Sequence, residues 1–131
     1  MPAFDPKSVQ KFSSDGALEW MEYSGFALAD VVNEDEDPGA KLGAVGFTRS
    51  AAGASSAFDF AYDEVLVVTR GRCTVRSRGR ELVAGQGEAL YLPAGVQGEI
   101  HADEDLEIVY VASSPYGAVN RAAKAELLGR R

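Results

Sequence analysis

Tyr62-Asp63-Glu64-Val65-Leu66-Val67-Val68-Thr69-Arg70-Gly71-Arg72-Cys73-Thr74-Val75-Arg76-Ser77-Arg78-Gly79 is the stretch on which the fold turns. From Glu64 to Val68 the residues are apolar and mostly β-branched without alternation, the pattern of a strand buried on both faces. Arg72 to Arg78 alternates instead. Arg72, Thr74, Arg76 and Arg78 share one face, while Cys73, Val75 and Ser77 share the other, which predicts a half-buried strand with a wet outer side. Arg78-Gly79 supplies a turn, and Glu81 to Ala84 returns as the partner strand.

The same grammar continues on both sides. Downstream, Gly85-Gln86-Gly87 turns, Glu88 to Leu92 is a strand, Pro93-Ala94-Gly95 turns again, and Asp105 to Ser113 is the last strong strand. Upstream, Leu18 to Tyr23, Phe26 to Val32 and Leu42 to Phe47 are short apolar runs, and Ser50 to Ser56 reads as a loop. Asn33-Glu34-Asp35-Glu36-Asp37-Pro38-Gly39 reads as an exposed acidic loop, because adjacent carboxylates repel one another and Pro-Gly turns the chain. It lacks the alternating ligand spacing and distal Glu of a calcium loop. Many short strands separated by Gly and Pro predict an all-β sandwich or barrel rather than a βαβ fold. The expected organisation is an irregular arm over 1–16, a barrel over 17–118, and a short C-terminal helix with its tail over 119–131. Val119, Ala122, Ala123 and Leu127 supply that helix's apolar face.

Composition bounds the function. The 131 residues carry 20 Asp and Glu against 13 Lys and Arg, a formal net charge of −7. Such a chain repels phosphate backbones, so no nucleic-acid partner is expected. The basic cluster of the tail, Arg121, Lys124, Arg130 and Arg131, reads as a solvated helix end. The single Cys73 excludes an intrachain disulfide; it alternates inward with Val75 and reads as an inert buried thiol. No run approaches the roughly 18 apolar residues of a membrane helix, and Met1 to Ser14 lacks a signal-peptide core. A cytoplasmic location and no membrane partner are the expectations.

Two segments together resemble the signature of the cupin superfamily. That family's first segment has two histidines one residue apart, then a glutamate, then a glycine. Here Glu64 and Gly71 match, while Phe58 and Phe60 occupy the histidine positions. Its second segment is Gly, five residues, Pro, any residue, Gly, two residues, His. Gly87, Pro93 and Gly95 match, and Gly98 takes the histidine position. The chain more closely resembles the cupin domain of ethanolamine-utilization protein Q, EutQ, through Pro38-Gly39, Gly43 to Phe47, Tyr62-Asp63-Glu64, Gly71, Gly87 to Gly95 and Tyr110-Val111-Ala112. This implies a single-domain cupin, a double-stranded β-helix or jelly-roll barrel. It also implies an association with ethanolamine catabolism, bacterial microcompartments and an acetate-kinase-type activity. By the same analogy a homodimer is expected.

Metal cupins hold their ion with imidazoles and one carboxylate. With one histidine, His101, in the whole chain, that ligand set cannot be built, so no metal and no other cofactor are expected. What remains is Glu64. If it points into the barrel beside Phe58 and Phe60, lost hydration raises its pKa, and a carboxyl titrating near neutrality is a usable acid or base. Tyr62 shares its parity and is either a second catalytic candidate or core. Phe58, Phe60 and Tyr110 are candidate ligand contacts, with core packing the alternative for Tyr110. His101 is carried both as a surface or interface residue and as a candidate ligand contact. Asp63 has the opposite parity and faces out or toward an interface. Glu64 itself is alternatively a structural group, paired for instance with Arg70.

Three functions are consistent with this: a metal-independent isomerase, lyase, dehydratase or cyclase acting on a small metabolite; a non-catalytic ligand-binding or structural cupin; and a EutQ-like accessory protein. Phosphoryl transfer is the hardest to accommodate, since it requires cations on the phosphates and no cluster of Lys or Arg is seen to converge on Glu64.

Overall fold

The computed structural model describes residues 4–16 and 19–116. The expected helix over 119–131 lies outside the described residues. The first sixteen residues, where described, hold a single 3-10 turn, Ser14–Gly16. Ten strands follow: β1 Met21–Tyr23, β2 Phe26–Asn33, β3 Ala44–Ser50, β4 Ser55–Asp59, β5 Glu64–Arg70, β6 Arg72–Ser77, β7 Arg80–Gly85, β8 Ala89–Leu92, β9 Gln97–Ala102 and β10 Leu106–Ala112. They form a six-stranded sheet in the order β1-β2-β3-β10-β5-β8 and a four-stranded sheet in the order β4-β9-β6-β7. The fold is the expected all-β jelly roll in one domain.

Period-two alternation decides which side chains enter the barrel. β10 runs Leu106, Ile108, Tyr110 and Ala112 inward, all nearly inaccessible. β5 sends in Glu64, Leu66 and Val68 while Val65 and Val67 face out half-buried. The apolar run Glu64 to Val68 is therefore not buried equally on both faces, contrary to expectation. On β6 the inward set is Cys73 and Val75, as expected, but Thr74 on the outer face is also buried, where its hydroxyl donates to Asp103 at 2.7 Å.

Two strands escape the sequence reading. β4 begins inside the supposed loop Ser50 to Ser56, and β9 occupies a stretch with only Ile100 as a large apolar residue. Both are half-polar strands of the smaller sheet, where small or polar residues alternate and leave no apolar run to find. The acidic loop is also less solvated than expected. Glu34 is half-buried and accepts hydrogen bonds from the Tyr116 amide at 2.6 Å and from the Ser114 hydroxyl. Asp37 accepts one from the Asn33 amide at 2.8 Å. The loop thus ties the end of β2 to the segment after β10.

Candidate functional site

Inward from β2, Asp30 stands opposite Gly46 of β3, which in turn pairs with Tyr110 of β10. A side chain at position 46 would leave no room. A Cβ there would come within 2.5 Å of the Ala29 carbonyl and would run into the Tyr110 ring. Glycine lets that ring lie across β3, so that its hydroxyl donates a hydrogen bond to Asp30 two strands away. A register shift lies just beyond Asp30, between it and Val32, a local irregularity of the kind that re-aims a side chain.

Asp30 collects more donors. Tyr116, held by Glu34 through its amide, donates its hydroxyl at 3.0 Å, and Asn33 donates its side-chain amide at 2.9 Å. The Tyr116 ring stacks on Tyr62 with centroids 5.0 Å apart. Tyr62 meets Phe60 at 5.0 Å, and Phe60 meets Phe58 at 6.1 Å. A continuous aromatic wall therefore runs from β4 to the end of the described chain.

Glu64, the first residue of β5, is 8% exposed and accepts no hydrogen bond from any described residue. Burial pushes its carboxyl up to about 8, and the charge of Asp30 pushes in the same direction. The expected shift is present, with its expected main cause, and the proposed pairing with Arg70 is not seen. Tyr62, Tyr110 and Tyr116 are all raised well above the ordinary phenol range, first by burial; the charges of Asp30 and Glu64 add to this in each case. All three keep their protons, and Tyr110 and Tyr116 donate theirs to Asp30. The arrangement is two carboxyls of unequal setting, one hydrogen-bonded by phenols and one unpaired, against a wall of rings.

The sequence-predicted residues divide accordingly. Glu64, Tyr62 and Tyr110 come together electrostatically, and Phe58 and Phe60 join through the rings. His101 does not. It lies on the outer face of β9, where its Nδ1 meets the Ser55 hydroxyl at 2.5 Å and its Nε2 lies 3.9 Å from Asp103. Asp63 faces out, accepting from the Tyr91 hydroxyl at 2.5 Å and the Ala94 amide at 2.7 Å. Trp20 stacks on the Arg49 guanidinium, 4.8 Å from the ring centroid. Asp30, Asn33, Gly46 and Tyr116 were missed. Two surface clefts, of about 620 Å³ beside Arg49 and Arg70 and about 510 Å³ around the β6–β7 hairpin, touch none of these residues.

The model of the family described as ethanolamine utilisation protein EutQ matches residues 10–117. The chain belongs to the EutQ family. Among solved structures, the ethanolamine utilization protein Q of Salmonella typhimurium LT2 is similar at 26% identity and a TM-score of 0.64, covering 72% of this chain and 77% of that one. A protein of unknown function from Rhizobium leguminosarum bv. viciae 3841 is 30% identical with a TM-score of 0.67, covering 81% and 97%. KdgF from Halomonas sp., at 16% identity and a TM-score of 0.66 over 81% and 94%, shares the cupin fold. No curated protein matches.

Cupin barrels raise the question of a metal, and the donor set of this EutQ family member answers it. Phe58 and Gly98 are direct cross-strand partners. A Cβ at position 98 would come within 2.9 Å of the Phe58 ring and 2.8 Å of the Arg76 carbonyl. The aromatic ring thus fills the space over the glycine, the aromatic-on-glycine packing that stabilises paired strands. Of the four signature positions only Glu64 carries a donor. No three His, Cys, Asp or Glu converge to hold an ion among the described residues. The described residues do not make up the imidazole-and-carboxylate set of a metal cupin.

Proposed function

We propose that this EutQ family member is a metal-independent small-molecule cupin in which Glu64 and Asp30 form an acid/base pair at one end of the barrel. The observation that carries the reading is the asymmetry of the two carboxyls: among the described residues Glu64 is buried without a hydrogen-bond donor, whereas Asp30 accepts from Tyr110, Tyr116 and Asn33. Paired titratable groups held in different environments are how a fold assigns one acid and one base. A carboxyl titrating near 8 holds its proton at neutrality and can give it to a substrate.

The charge balance sets the ligand class. Among the described residues the charge that bears on Glu64 is that of Asp30, which repels an anionic ligand and not a neutral or cationic one. This weighs against phosphoryl transfer, which needs cations around the phosphates. The family's name points to ethanolamine utilisation; an amino alcohol carries an ammonium and a hydroxyl, the groups a carboxyl-and-phenol cluster recognises.

A thermal-shift panel of amines, neutral polyols, carboxylates and phosphate esters, read at pH 7 and pH 9, tests this. Amines or polyols are expected to raise Tm of the wild type with a pH dependence that Glu64→Gln abolishes. Stabilisation by phosphates or carboxylates, or an identical pH profile in Glu64→Gln, overturns the reading. A second reading, a ligand-free structural barrel, draws on the rings of Phe58, Phe60, Tyr62 and Tyr116 packing on one another; it predicts no shift from any class.

A further inference from the structure

Four strands end the two sheets, and β7 is the longest of them. β1 has three residues, β8 has four and runs into Pro93, and β4 has five and ends on Asp59. β7 has six, Arg80–Gly85, and is the last strand of the four-stranded sheet. The two-residue turn Arg78-Gly79 joins it to β6, and φ angles of 53° and 71° make that turn type I′. Ser77 and Arg80 close such a turn with both hydrogen bonds, so by alternation Leu82 and Ala84 also bond back to β6. Glu81 and Val83 therefore turn their N–H and C=O groups away from β6. Among the described residues, no backbone hydrogen bond from a turn, loop or second strand reaches either of them. The open edge stops at Gly85, whose N–H donates to the Glu88 carboxylate at 2.9 Å.

This edge is apolar where it is open. Arg80 to Val83 are exposed, with Leu82 at 38% on the barrel-side face and Val83 at 56% on the outer face. Edges that stay in water ordinarily carry a charge, a proline or a bulge at such positions. Here the charge gathers at the turn end. Arg76, Arg78 and Arg80 line the cleft of about 510 Å³ at the hairpin, with Glu81 in its wall. Glu81 and Glu99 take Arg76, at 2.9 and 4.0 Å. Arg78 and Arg80 have no ion pair among the described residues. A chain of net charge −7 thus sets two unpaired cations at one end of an unpaired strand.

We propose that β7 is a docking edge for an extended acidic segment of another protein, which joins the four-stranded sheet as a fifth strand. The two observations select that partner together. Ladder hydrogen bonds to Glu81 and Val83 call for a polypeptide backbone, which an anionic lipid or polysaccharide lacks, and the two guanidiniums call for carboxylates beside it. Register sets the pattern of the incoming strand, because directly opposed side chains share a face. In the antiparallel sense, the more stable of the two, an apolar residue stands opposite Val83 and another opposite Leu82. An uncharged residue follows opposite Glu81, and acids follow opposite Arg80 and on toward Arg78. This inference is independent of the reading of Glu64.

Fluorescence anisotropy of the full chain with the fluorescein-labelled peptide Thr-Val-Leu-Thr-Glu-Asp-Glu tests it. Saturable binding is expected, weakened about 30-fold in the double variant Arg78→Glu, Arg80→Glu with an unchanged far-UV circular dichroism spectrum. Should that variant fail to fold, the probe itself supplies the second measurement. N-methylation of its Val and second Thr, whose N–H groups face β7, is expected to weaken binding to the wild type about tenfold. N-methylation of its Leu, whose N–H faces away, is expected to leave binding unchanged. No binding up to about 200 µM overturns the proposal, as does equal binding of a peptide with Lys in place of each acid. Equal affinity of all three methylation states would reduce the contact to charge attraction and equally overturns strand addition.

Discussion

Raising the pH from 5 to 8 should destabilise the folded protein through one side chain, and Glu64→Gln isolates that effect. The carboxyl titrates at an ordinary 4.5 when unfolded and at about 8 when folded. Below 4.5 both states hold the proton and the group has no effect. Between the two values the folded state holds a proton that the unfolded chain releases, so stability falls by about 1.4 kcal/mol per pH unit. Above 8 the cost is complete. Across pH 5 to 8 this amounts to about 3.5 kcal/mol, a large share of the 5–15 kcal/mol typical of a domain.

Urea unfolding of wild type and Glu64→Gln at pH 5, 6, 7 and 8 reads the difference directly. Gln mimics the protonated carboxyl in size and neutrality, so the variant's lead should grow from under about 1 kcal/mol at pH 5 by about 3.5 kcal/mol on going to pH 8. Other groups titrate identically in both and cancel. Asp63, for example, is lowered by its hydrogen bonds from Tyr91 and Ala94, and its loss of charge in acid acts in the opposite direction in both proteins. Stability curves that stay parallel to within 1 kcal/mol would refute the burial of an unpaired, shifted carboxyl.

Further outcomes follow from the same geometry. Asp30→Asn removes the second cause of the Glu64 shift, so the pH window seen above should narrow from its alkaline end in the same urea series. Gly46→Ala should cost about 1–3 kcal/mol by overpacking, because the added methyl meets the Tyr110 ring and the Ala29 carbonyl; Tm measures it. Gly98→Ala should destabilise less in a Phe58→Leu background than in the wild type, and a double-mutant cycle that is additive would show that the ring does not fill that space. Cys73 is fully buried and raised to about 11, so iodoacetamide at pH 8 should label it only after unfolding, as mass spectrometry would show.

The frame of the fold was legible because its central strands are written in residues that alternate or cluster. Leu106 to Ala112, Arg72 to Ser77 and Arg80 to Gly85 are recoverable to within a residue or two. β4 and β9 were not, since Ala57, Gly98 and Glu99 carry no apolar periodicity and their pairing is decided by the sheet they complete. Glu64 was legible through the family spacing. Asp30 was within reach by another signal: it shares parity with Phe26 and Leu28, so it is a carboxylate at a core position of its strand. Gly46 was the companion sign, since a glycine inside a strand marks a close approach. Tyr116 was not legible, because its place depends on Glu34 reaching across eighty-two residues of chain.

The apolar residues at the signature positions and the unequal settings of Glu64 and Asp30 belong to one packing arrangement. Phe58 can point inward only because position 98 has no side chain, and its ring fills the space where imidazoles would have stood. Burial raises the cost of ionising Glu64, and no cation among the described residues pairs with it to offset that cost. Asp30, by contrast, stands where Gly46 lets a phenol cross the sheet, so its carboxyl is met by donors from two further parts of the chain. Restoring a histidine at position 98 alone would therefore restore no site; it would displace the Phe58 ring and leave a carboxyl whose surroundings are already arranged for a proton.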